Sequence, residues 1–103
     1  MQMFMQKHTA QEEGYQYVPL DDYENYYYSN DIDVASALVC KGYTLVDIVP
    51  INHTKATFVF KNHLAIVDAV DGFWSNRIEV RPLEFANARK NLKSRIYGMK
   101  KGF

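Results

Sequence analysis

Apolar positions recur every three or four residues in three stretches of this 103-residue chain and gather into aromatic and β-branched runs in two others, so helices and strands are both predicted. Ser29-Asn30-Asp31 offers short polar side chains to the free amides of a helix start, and Asp31 and Asp33 complement its positive end. Ala35, Leu38 and Val39 then form an inward stripe, and Gly42 suits a left-handed stop, giving a first helix over residues 31–41. Residues 43–49 and 56–60 read as an antiparallel hairpin, with Ala56, Phe58 and Phe60 on one face and Asn52 and His53 at the tip of the connecting loop.

Asn62 is read as the cap of a second, well-buried helix. Leu64, Val67, Val70 and Trp74 mark its inward face, Ile66 and Phe73 widen the stripe, and Gly72 with Ser75-Asn76 marks its end. Residues 77–80 read as a short edge strand with Ile78 and Val80 turned inward. Pro82 opens a third helix over residues 82–97, with Phe85, Ala88, Leu92 and Ile96 inward and Gly98 as its stop. With residues 26–28 as a first strand, the fold class is α+β: a small antiparallel sheet of three or four strands packed against two or three helices in one two-layer domain.

Three segments follow: an acidic, tyrosine-rich arm over residues 1–25, the domain over 26–98, and a basic tail over 99–103. Hydrophobic residues make up 48% of the chain and charged ones 23%, enough apolar surface for one core. Cys40 is the single cysteine, which excludes an internal disulfide framework and fits a reducing compartment. The first residues lack the pattern of a signal peptide, and no stretch approaches the ~20 apolar residues of a membrane span, so a cytoplasmic protein with no membrane partner is expected.

The net charge of zero divides along the chain: residues 1–76 carry four basic and ten acidic side chains, a net of −6, and residues 77–103 the opposite, +6. Either half can attract a partner of opposite sign.

The residues that carry chemistry are sparse. His8, His53 and His63 stand in no metal-ligand spacing, and the five glycines form no phosphate-cradling loop, so no metal and no cofactor is expected. Cys40 ends an apolar helix, where the dipole disfavours a thiolate. No catalytic residue is assigned, and a non-enzymatic protein is expected.

Two surfaces remain. Residues 15–33 are dense in tyrosine and carboxylate, and Asp21, Asp22, Tyr23, Glu24, Tyr26 and Tyr27 are the candidates for binding a macromolecular partner. The alternative is nucleic acid held by Arg89, Lys93, Lys100 and Lys101 on the third helix and tail, with Arg77 and Arg81 extending the patch. The surplus of aromatic residues also fits a homodimer.

The residues Tyr28-Ser29-Asn30-Asp31, Ala35, Leu38, Gly42-Tyr43, Thr57-Phe58-Val59-Phe60, Phe73-Trp74 and Lys93-Ser94-Arg95-Ile96-Tyr97 together resemble a family of small bacteriophage and mobile-element proteins, the domain of unknown function 5659, over about residues 26–97. The resemblance implies an accessory protein that binds host or phage machinery, a protein or a nucleic acid, and it transfers no functional residue.

Overall fold

The computed structural model describes residues 21–100, with Lys100 described by its backbone alone. Most of the acidic arm and the end of the basic tail therefore lie outside the described residues. In chain order the elements are β1 (Tyr26–Ser29), α1 (Ile32–Cys40), β2 (Leu45–Pro50), β3 (Ala56–Lys61), α2 (Ile66–Trp74) and α3 (Pro82–Lys100).

The strands form one antiparallel sheet in the order β1-β3-β2. Since β1 and β2 both run against β3, they are parallel to each other with β3 between them, and α1 makes the crossover. β3 is the central strand and has the sequence for it: Ala56, Phe58 and Phe60 face the helices, and Val59 packs with Val49, Tyr26 and Tyr28 on the opposite face. β1 lies in register with Tyr27 opposite Phe60 and Tyr28 opposite Val59, so alternate tyrosines go to opposite faces. In β2 a bulge at Val46 interrupts the pairing between Leu45 and Asp47.

The main core joins Val34, Ala35 and Leu38 of α1 to Ile48, Phe58 and Phe60 of the sheet, Ile66 of α2, and Leu92 and Ile96 of α3. Full burial of each large side chain here contributes roughly 1.5–3 kcal/mol. α1 begins where its sequence indicates. Asp31 Oδ1 accepts the amides of Asp33 and Val34 at 2.8 and 3.0 Å. At its end Gly42 has φ +93°, and the amides of Gly42 and Tyr43 donate to the carbonyls of Val39 and Leu38, a Schellman stop that needs a residue without Cβ strain.

Several expectations are corrected. α2 is rotated from its expected face and is only partly buried: Leu64 is 99%, Val67 54% and Trp74 64% exposed, while Ile66, Val70 and Phe73 meet the core as expected and Ala69 joins them. Both sets repeat at helical spacing, so the periodicity is ambiguous, and docking against α1 selects the face. Asn62 does not cap it. Its Oδ1 accepts the His63 amide, and its Nδ2 reaches the carbonyls of Glu24 and Tyr23.

Residues 77–80 form no strand. The amides of Arg77 and Ile78 both donate to the Gly72 carbonyl, and Asn76 adopts φ +60°, so this segment closes α2 instead of extending the sheet. Gly72 is accordingly a buried position inside α2 beneath Ile78, and the turn that ends the helix comes four residues later. Gly98 likewise does not stop α3, which continues to Lys100. Met99 packs on the core, and that contact offsets the ~1 kcal/mol that glycine costs inside a helix.

Candidate functional site

The six residues of the acidic surface do not share one face. Asp21, Tyr23 and Glu24 are exposed, Tyr23 by 71%. Asp22 is engaged in its own turn, where its carboxylate accepts the Asn25 amide at 3.2 Å and the Asn25 side chain at 2.9 Å. Tyr27 packs on the core beneath the sheet, while Tyr26 lies on the opposite face with Tyr28. Burial raises the Tyr27 phenol above its ordinary value, and Asp71 adds to the shift. Burial likewise raises Tyr28, against an opposing hydrogen bond with the Asp22 backbone and with help from the nearby Asp22 and Asp21 charges.

The imidazoles stay apart as well. His53 is exposed in the hairpin loop, and His63 is exposed with its Nδ1 accepting the Ala65 amide and its ring against Tyr43. Among the described residues no three of His, Cys, Asp and Glu stand close enough to hold a metal ion. The Cys40 thiol is pushed up by burial and by Glu84, away from the thiolate.

The basic residues of α3 are brought together with others that the linear pattern does not single out. A cleft of about 300 Å³ opens between the β1–α1 turn, the β2–β3 loop and the outer side of α3. Ile32, Ala56, Phe58 and Ile96 supply its apolar walls, and Asn30, Thr54, Lys55, Arg89, Lys93 and Tyr97 supply the rest. Arg89, Lys93 and Tyr97 recur every four residues, which sets them in one row along the helix. A shallower groove runs on from the cleft along that row, past Ala86, Lys90 and Ser94.

Each wall of the cleft is held by a specific contact. Arg89 Nε donates to Asp33 Oδ1 at 2.5 Å, which ties α3 to the first turn of α1. Both side chains of this pair are close to half exposed, so its contribution is a few tenths of a kcal/mol to about 1 kcal/mol, and its chief effect is to orient the guanidinium. Thr57 Oγ1 donates to Asn30 Oδ1 at 2.7 Å, which fixes the Asn30 side chain in the lining. In the loop, Asn52 Oδ1 accepts the amides of Thr54 and Lys55 at 2.9 and 3.1 Å and the Thr54 hydroxyl at 3.2 Å, an Asx turn that fixes the rim.

Lys55 and Lys93 have no ion pair among the described residues. Among the described residues the cleft therefore carries three cations against the carboxylate of Asp33, beside apolar walls that lower the local dielectric.

Residues 24–98 match a protein family described as a domain of unknown function, DUF5659. The chain belongs to the DUF5659 family. No curated protein and no solved structure matches it. The DUF5659 match takes in all the residues that line the cleft, whereas Asp21, Asp22 and Tyr23 precede it and Lys100 and Lys101 follow it.

Of the four residues proposed for nucleic acid, Arg89 and Lys93 meet in this DUF5659 cleft. The Lys100 side chain and Lys101 lie outside the described residues. Lys55, Asn30, Thr54 and Tyr97 complete the cleft and were not legible as a set. Tyr97, one turn beyond Lys93, was the available indication.

Proposed function

We propose that this domain works by binding and not by chemistry, as a small accessory protein of a phage or mobile element in the host cytoplasm, and that its basic cleft takes the sugar-phosphate backbone of a nucleic acid. One observation carries the reading: ammonium groups with no ion pair among the described residues, Lys55 from the β2–β3 loop and Lys93 from α3, converge on a cleft whose third cation, Arg89, is already oriented by Asp33. Cations scattered on a helix for solubility need no such convergence. Arginine and lysine at a partly desolvated cleft are the groups that phosphate oxygens select.

The test is electrophoretic retardation of DNA and RNA by the purified chain at two salt concentrations. Binding is expected to weaken steeply with salt as counterions leave the phosphates, and Lys93→Glu is expected to weaken it on every sequence and to lower the salt slope by about 1 or more. Absent or salt-independent binding removes the reading.

A second reading keeps the acidic rim as a docking surface for a macromolecular partner, and the exposure of Tyr23 between Asp21 and Glu24 favours it. Affinity capture from host lysate should then be lost with Asp21→Asn/Glu24→Gln at unchanged melting temperature. Equal capture by the variant ends that reading.

A further inference from the structure

We propose that the cleft is a nucleotide pocket: one unstacked base enters it while Lys55, Lys93 and Arg89 hold the phosphates beside that base. The inference rests on the nucleic-acid reading above and adds what phosphate contacts alone leave open, a requirement for bases free of a duplex.

The shape of the site carries the argument. Phosphates bind to cations on an open surface, and a helix face bearing Arg89, Lys90 and Lys93 would suffice for them. Here the cations instead border a recess of about 300 Å³, at the lower end of the range for small-molecule sites, with Ile32, Phe58 and Ile96 among its walls. The apolar part of this mixed lining gains nothing from a phosphate, whose charge it would desolvate. A planar heteroaromatic ring suits it: the faces go against apolar walls and the polar edge goes to the rim.

The rim has the complementary groups. Thr57 fixes the Asn30 oxygen, which leaves the Asn30 NH₂ with two donors and no partner among the described residues. The Thr54 hydroxyl donates to Asn52 and keeps its lone pairs for accepting. A donor and an acceptor on one rim match the edge of a base. Tyr97, 52% exposed, borders both the recess and the groove along α3. A base paired within a duplex cannot reach the recess.

The experiment is fluorescence anisotropy of the full chain with four probes: a labelled single-stranded oligonucleotide, the duplex of the same sequence, an abasic oligomer of the same length and charge, and a nucleoside monophosphate competing against inorganic phosphate. The single strand is expected to bind about tenfold or more tighter than the abasic oligomer and tighter than the duplex. Asn30→Ala should lower that preference, and Lys93→Glu should weaken binding of the base-bearing and abasic oligomers alike.

Equal affinity for the base-bearing and abasic oligomers overturns the pocket and leaves backbone binding in place. Binding of the nucleoside monophosphate, but not of phosphate or any oligomer, supports the pocket for a free nucleotide and removes the nucleic-acid reading. Failure of all four probes overturns both.

Discussion

At the scale of single residues, the positions that decide local structure are those whose side chain meets the backbone. Asp31 satisfies two of the orphan amides at the start of α1 through one carboxylate oxygen, and Ser29 Oγ accepts the Asp31 amide at 3.2 Å, so the entry to the helix is closed by two consecutive caps. Asp31→Ala leaves those amides to water and is expected to destabilise the domain by about 1 kcal/mol, measured as a shift of the urea midpoint at constant slope. An unchanged midpoint would mean that the amides find another acceptor. The cap was legible in the sequence as the run Ser29-Asn30-Asp31, because a cap acts on residues two and three positions away, and the structure assigns it to Asp31. Arg89 was legible only as a cation, since its partner Asp33 lies 56 residues earlier.

At the scale of elements, α2 carries apolar residues on both sides, and only one side is packed. Ile66 is fully buried against the core, whereas Leu64 and Val67 stand in solvent. Ile66→Ala is therefore expected to cost about 2–5 kcal/mol, and Leu64→Ser and Val67→Ser about 0.5 kcal/mol or less, all read from urea unfolding. A large cost at Leu64 or Val67 would mean that this face is covered in solution. α3 divides the same way around its circumference: Leu92 and Ile96 hold it to the core, and the row Arg89, Lys93 and Tyr97 borders the cleft. That division lets Lys93→Glu alter binding without loosening the helix.

At the scale of the whole molecule, stability should depend on alkaline pH. Burial raises the Tyr27 and Tyr28 phenols above their ordinary 10.0 and the Cys40 thiol above its ordinary 9.0. Each group holds its proton more tightly folded than unfolded, so its contribution is fully present below the unfolded value and is lost as pH rises through the folded one. Urea midpoints should stay level with respect to these groups up to about pH 9 and fall above it, in step with tyrosinate absorbance above about pH 10. Cys40→Ser should remove the earlier part of the fall. A midpoint level through the tyrosinate transition would mean that the phenols ionise as freely folded as unfolded.

The order and type of most elements, the cap at Asp31 and the stop at Gly42 were determined by the sequence itself, because periodicity, capping and a positive φ involve residues a few positions apart. The packed face of α2, the fate of residues 77–80 and the passage of α3 through Gly98 were not. In each, a local preference was balanced or weak, and contacts outside the pattern settled it: α1 against α2, the turn that lays Ile78 over Gly72, Met99 on the core. The cleft belongs wholly to the tertiary structure. Asn30, Lys55 and Lys93 come together only because β3 lies between β1 and β2, and because α3 packs on α1 beside the loop end of the hairpin.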